Sequence, residues 1–230
     1  MNPLNTEIVV STYNQSVPWI SNFTDRGYNV RVYDHANPLA KYNIEDNVGQ
    51  EASVYIKYII DSYKSLSNHT IFLHNHDFSW HQRGSIVDLV NEQIAISKSE
   101  TSYPKFYNIN NRCCRSILGN EPVMSWFDAY LGPYIGNHTL YDDFTFGKKC
   151  CAQFVIAKER IIQYPRSMYL KLYTWILNTE KSISATYMEW TWDLLFDNPF
   201  WNKQMTFKQY IKDRKKAKDP SSDYTQCKLI

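Results

Sequence analysis

"TIFLHNHDFSW", Thr70 to Trp80, decides the fold. It begins as a buried strand, with Ile71, Phe72 and Leu73 in succession, and breaks into His74, Asn75, His76 and Asp77. Two earlier stretches share this form. "EIVVS", Glu7 to Ser11, runs into Thr12, Tyr13, Asn14 and Gln15. "NVRVYDHAN", Asn29 to Asn37, alternates Val30 and Val32 before Asp34, His35 and Asn37, and Pro38 closes it. Between the second and third, the segment starting "EASVYIKYII" at Glu51 places Val54, Tyr55, Tyr58, Ile59 and Ile60 at spacings of three and four, which predicts an amphipathic helix. Strands alternating with helices predict an α/β fold with a mainly parallel central sheet flanked by helices. Right-handed crossovers then bring every carboxyl end of the parallel strands to one edge, where ligands bind in such sheets. Any single polar cluster is equally an ordinary strand-to-loop transition. Three in succession, "STYN", "YDHAN" and "HNHD", describe a crevice.

Further along, Ser85 to Ser97 reads as a helix, and Thr101 to Pro133 as short elements punctuated by aromatics, Pro and Gly. "CCAQFVIAKERII", residues 150 to 162, reads as a strand leading into a helix start. Pro165 interrupts, Arg166 to Leu177 resumes a helical pattern, and Ser184 to Phe196 forms a last helix. Residues 1–207 are expected as one domain. From Lys208 the chain is polar and basic, and residues 208–230 are expected as a tail or linker to which further domains could be joined. Its run "RKKAK" reads as a solvated face before it reads as a phosphate-binding patch.

With 230 residues, 43% hydrophobic and 21% charged, the chain has the composition of an ordinary globular protein. A net charge of +2 gives no concentrated basic face, so no nucleic-acid partner is expected. No apolar run reaches the length of a spanning helix and no export signal opens the chain, so neither a membrane span nor secretion is expected. Cys113-Cys114, Cys150-Cys151 and Cys227 are an odd count with vicinal pairs, which reads as reduced thiols in a cytoplasmic compartment. A Cys₄ zinc site would want two to four residues between paired ligands. Aromatic residues reach 16%, with 18 Tyr and 7 Trp, a content suited to sugar or base contact as well as to plain packing.

Asp77 is the first candidate for chemistry. A carboxylate at a strand tip beside His and Asn donors suits a hard divalent cation that takes its other oxygens from phosphates. Alternation puts His74 and His76 on one side of the strand and Asn75 and Asp77 on the other, so His76 joins Asp77 as a metal ligand only if the strand ends early. Gly49, in the loop "EDNVGQEAS", lets the backbone approach a ligand at a helix start, or simply forms a turn that Glu51 complements. Glu189 and Asp193, in "MEWTWD", fall four apart on one helix, between Trp190 and Trp192. They read either as a general-base pair or as a solvated helix face. No G-x-S-x-G elbow is present.

Taken together, "EIVVSTYN", "NVGQEASVYIKYII", "TIFLHNHDF", "CCAQFVIAKERIIQYPRSMY" and "MEWTWDLLF" resemble a family of GT-A-type glycosyltransferases from fungi, algae and large algal viruses, including chlorella-virus domains that act in capsid protein glycosylation. That resemblance implies a GT-A fold binding a UDP-sugar with Mn²⁺ or Mg²⁺, a glycan or glycoprotein acceptor, and the host cytoplasm as its setting. It implies that Thr12, Tyr13, Asn14 and Asp34 meet the nucleoside and that Asn47, Gly49 and Glu51 lie near ribose or donor sugar. It implies further that Gln153 contacts sugar or acceptor and that Asp77 takes the last place of a D-x-D motif. Position 75 is Asn where that motif has its first Asp, so metal affinity is expected to be modest and conferred mainly by the diphosphate. A metal-dependent phosphoesterase and a non-catalytic carbohydrate-binding module are the alternative functions.

Overall fold

The computed structural model describes residues 2, 5–44, 47–80, 82–99, 105–110, 121–136 and 152–197. All five cysteines and the basic tail lie outside these residues. The strands are β1 (Thr6–Thr12), β2 (Asn29–Asp34), β3 (His69–His74), β4 (Phe106–Asn108) and β5 (Phe154–Ala157). They form one sheet in the order β2-β1-β3-β5-β4. β1 pairs in parallel with β2 and with β3, in a register that sets Ser11 beside both Tyr33 and His74. β5 runs antiparallel to β3 and to β4.

The sheet is therefore mixed, which corrects the expectation of a mainly parallel one. β4 runs in the same direction as β3, and β5 returns through the gap between them, so four strands still end at one edge while β5 begins there. This reversal is what brings Gln153, the residue before β5, to that edge.

Alternation along the strands feeds two cores, one on each face of the sheet. Val9 and Phe72 point to a large aromatic core; Ile8, Val10, Ile71 and Leu73 point to a smaller one. The large core is covered by α2 (Glu51–Ser62), α4 (Glu121–Tyr130), α7 (Arg166–Leu177), α8 (Lys181–Glu189) and α9 (Trp192–Phe196). The smaller is covered by α1 (Ser21–Thr24), the 3₁₀ turn Pro18–Ile20 before it, and α3 (Ile86–Ser99). The remaining short helices are α5 (Gly132–Ile135) and α6 (Lys158–Ile162). Tyr55 of α2 lies against Phe72, Phe154 and Trp192, with ring centroids 4.5 to 6.0 Å apart, so one aromatic cluster joins helix, two strands and α9. Packed aromatic pairs each add about 0.5–1.5 kcal/mol beyond their area.

The helix expected over Ser184–Phe196 is two helices, α8 and α9, separated at Trp190–Thr191. Thr191 donates its hydroxyl to Tyr187 O at 2.8 Å, a back-bond that competes with helix continuation, and the change of direction delivers Trp192 to the core. Among the described residues no helix is long and apolar enough to cross a membrane.

Candidate functional site

α2 descends from the carboxyl edge of the sheet between β2 and β3, so its first residue, Glu51, stands at the edge reached by the tips of β1 and β3. The polar tips hold one another in place. Asp34 Oδ1 accepts the backbone N–H of Asn14 at 3.1 Å and of Ala36 at 3.0 Å, tying the β1 loop to the end of β2. Asn14 adopts φ 50°, a left-handed conformation that Asn tolerates better than most residues. Thr12 is buried and donates its hydroxyl to Gln15 O at 2.9 Å. Ser11 and His35 lie within hydrogen-bond reach, Oγ to Nε2 3.3 Å.

The β3 tip is anchored on the other side of the sheet. Asn75 donates its amide to Gln15 Oε1, and its carbonyl accepts Trp19 Nε1 at 2.8 Å. Asp77 Oδ1 accepts the hydroxyl of Ser85, whose oxygen in turn accepts the N–H of Val87, while Asp77 O accepts Ile86 N at 2.8 Å. Asp77 thus braces the head of α3 with one carboxylate oxygen. The ring of His76 lies 5.2 Å from that of His74, and burial holds its pKa below the usual imidazole value.

Gln153 is fully buried. Its Oε1 accepts His74 N at 3.3 Å and its Nε2 donates to Gln82 Oε1 at 3.1 Å, while Gln82 donates to Asp77 O at 2.8 Å. An amide engaged at both ends ties the end of β3 to Gln82 and, through it, to Asp77.

On the large-core side, Gly49 has φ 67° and packs against α7 so closely that a Cβ would overlap Ile176 Cγ2. Gln50 follows with φ 49° and ψ −133°, a second left-handed residue and the N-cap of α2. Asn47 lies partly buried just before this turn. Glu51, also partly buried, has its carboxyl pushed up to about 7. Burial is the main cause; the amide at its own helix head and Lys181 pull the value down, and the negative charge of Glu189 raises it further. Lys181 heads α8 and sets its Nζ 5.9 Å from the ring centroid of Tyr13, which is 54% exposed.

Of the expected residues, the structure sets Tyr13 near Lys181 and lets the two ends of α8, Lys181 and Glu189, both act on Glu51, and it ties Asn14 to Asp34 at the tips of β1 and β2. Glu189 and Asp193 do not share a helix face: Glu189 ends α8 and Asp193 lies in the first turn of α9. Among the described residues no three His, Cys, Asp or Glu side chains form a group able to hold a metal ion, so Asp77 and His76 do not constitute a metal centre by themselves. Sequence reasoning missed Lys181, Gln82 and Ser85. Only Ser85 carried a local signal, as Ser85-Ile86-Val87-Asp88 has the S-x-x-D form of a helix start.

Residues 8–212 match the model of a family described as a protein of unknown function, DUF3431. No curated protein matches the chain. The match overturns the resemblance to GT-A-type glycosyltransferases of fungi, algae and their viruses, since no glycosyltransferase family is found and the blocks that carried the resemblance lie almost wholly inside the matched span. Short strands with polar tips and an amphipathic helix are shared by many α/β proteins, which is why those blocks misled. The match covers most of the sequence, and the chain belongs to the DUF3431 family.

Proposed function

We propose that the protein is a glycosyltransferase that moves a sugar from a nucleoside diphosphate donor to a hydroxyl of a glycan acceptor. The observation that carries this reading is the convergence, at one sheet edge, of three strand tips and the head of α2. Adjacent parallel strands of this kind form a crevice suited to a nucleotide. The loop ending in Asp34 and Asn14 offers polar groups for a nucleoside, and the finer fold class, GT-A, belongs to the same proposal.

A cation fits this reading only as part of the donor. Asp77 has one oxygen committed to Ser85, and no group of three ligands surrounds it among the described residues. Mn²⁺ or Mg²⁺ would therefore arrive on the diphosphate with Asp77 contributing a single oxygen, and would offset charge on the departing phosphate. The chain's own residues orient the donor through the β1 and β2 tips and hold the β3 loop through Gln153 and Gln82.

The test is thermal unfolding with UDP and Mn²⁺. The midpoint rises in the wild-type protein, and the rise disappears in Asp77→Ala. No rise in the wild type, or an equal rise in the variant, refutes the reading.

A non-catalytic carbohydrate-binding module is the second reading, favoured by the exposed rings of Tyr13, Phe78 and Trp80 beside the same edge. Glycan binding that ignores nucleotide and chelator would select it. The phosphoesterase alternative wants several ligands gathered around two cations and has no supporting group among the described residues.

A further inference from the structure

We infer that Gln153, acting through Gln82, is a positioning residue for Asp77: the two amides hold the loop so that one carboxylate oxygen is spent on Ser85 and the other is kept for the cation that arrives on the donor. The cation's part rests on the glycosyl-transfer reading. The latch begins at a rigid post. Gln153 O accepts Ile109 N, just past the end of β4, at 3.0 Å, and the preceding carbonyl, that of Ala152, accepts the Tyr55 hydroxyl of α2 at 2.8 Å. Ala152 and Gln153 are both fully buried. The backbone here is thus pinned from β4 and from α2, while the Gln153 side chain reaches the end of β3.

From this post the hydrogen bonds run in one direction. The His74 N–H can only donate, so Gln153 presents Oε1 to it, at 3.3 Å, and keeps Nε2 as a donor. Gln82 receives that donor on its own Oε1 at 3.1 Å, and its Nε2 donates to two carbonyls, Asp77 O at 2.8 Å and Gly84 O at 3.2 Å. Neither amide can turn over without setting donor against donor or acceptor against acceptor. Gln82 therefore bridges the start and the end of the loop, and its backbone N–H, donated to Ser79 O at 3.0 Å, seats it inside that turn. Asp77 is held through its carbonyl, which also accepts Ile86 N, and through Oδ1, which accepts the Ser85 hydroxyl. Its Oδ2 takes no hydrogen bond from the described residues.

Packing alone does not call for this arrangement. An apolar side chain could fill the place of Gln153 without two ends of a buried amide to satisfy. A buried polar network with every end engaged instead specifies one geometry. Outer partners that orient a ligand-bearing group without touching the ligand act in this way.

Two measurements test this. The first is titration of UDP, with and without Mn²⁺, into the wild type, Gln153→Met and Gln82→Met, and into the same two substitutions combined with Asp77→Ala. Met keeps the unbranched shape and removes the amide. Each single substitution weakens Mn²⁺-dependent UDP binding by roughly 10- to 100-fold, the usual cost of losing an outer partner of a metal ligand, and leaves metal-free UDP binding unchanged. On top of Asp77→Ala it adds no further loss. Losses that are equal with and without Mn²⁺, or that add to that of Asp77→Ala, are those of a merely structural residue and overturn the inference while the transfer reading stands. The second is amide hydrogen exchange at Ile86, whose N–H is donated to Asp77 O, and it needs no ligand. Protection there is lost in Gln153→Met and in Gln82→Met, the latter at a residue only partly buried and so usable where the former fails to fold. Unchanged protection overturns the inference. A wild type that gains no UDP affinity from Mn²⁺ refutes the transfer reading and the cation's part, and exchange at Ile86 then decides by itself whether the two amides position Asp77.

Discussion

Glu7 and Glu51, at opposite ends of the sheet, meet opposite surroundings. At the amino end, Glu7 is 1% exposed and saturated with donors. Its Oε1 accepts Asn29 Nδ2 at 2.7 Å and pairs with Arg31, and its Oε2 accepts the Tyr58 hydroxyl at 2.7 Å. Arg31 is itself secured by Ser62 Oγ at 3.2 Å and lies over the rings of Tyr58 and Tyr42. Burial works to lower the Arg31 pKa, yet the charge and hydrogen bond of Glu7 keep it above the ordinary guanidinium value. At the carboxyl end, Glu51 is set against a second carboxylate and is left half neutralised near pH 7. Glu7 thus has a cation and neutral donors around its charge, whereas Glu51 has burial and a like charge working against its own.

This contrast can be broken most sharply at Glu7. Glu7→Ala leaves Arg31 partly buried without its counter-ion, and the expected loss is about 3–5 kcal/mol, read from urea unfolding. A loss under about 1 kcal/mol would make the amino-end network incidental. Next, Gly49→Ala forces a Cβ into the β-branched Ile176 in a backbone conformation that Ala avoids. Overpacking and strain together predict a cost of roughly 2–4 kcal/mol.

Glu51→Gln is expected to act in the opposite direction. A carboxyl whose pKa is raised on folding keeps its proton in the native state while the unfolded chain loses it, so stability falls as pH climbs from about 4.5 to about 7. Removing the charge should therefore stabilise the protein at pH 8, by at most ~3 kcal/mol, and change little at pH 4. Melting curves at both pH values measure the difference, and equal effects at the two would contradict the account. The smallest effect is at Gln50→Gly, where relief of a left-handed φ is expected to add ~1 kcal/mol.

Much of the frame was legible because it depends on local patterns. The apolar runs at Ile8–Val10 and Ile71–Leu73 predict strands, and the three-and-four spacing from Val54 predicts the helix observed as α2. The reversal of β5 was not legible, because "FVIA" reads identically in either direction and only pairing with β3 and β4 fixes its sense. The break at Thr191 was hidden because Trp190 and Trp192 satisfy a helical pattern, while the back-bond of Thr191 and the burial of Trp192 are tertiary matters. In the candidate site, the strand tips were readable and Glu51 was named, but as a donor contact. Its raised pKa comes mainly from burial under the packed fold, with Glu189 adding to it and Lys181 opposing it from about 130 positions away, and no spacing rule reads either.

The sheet that divides the interior also divides the polar edge above it. Asp77 hangs from α3, whose Ile86 belongs to the smaller core, whereas Glu51 rides on α2, whose Ala52 and Tyr55 belong to the larger. Each side of this edge is thus steered by a different set of interior packing. Exchanges beneath α3 can therefore shift Asp77 while Glu51 keeps its posture, so the two sides of the edge can vary independently.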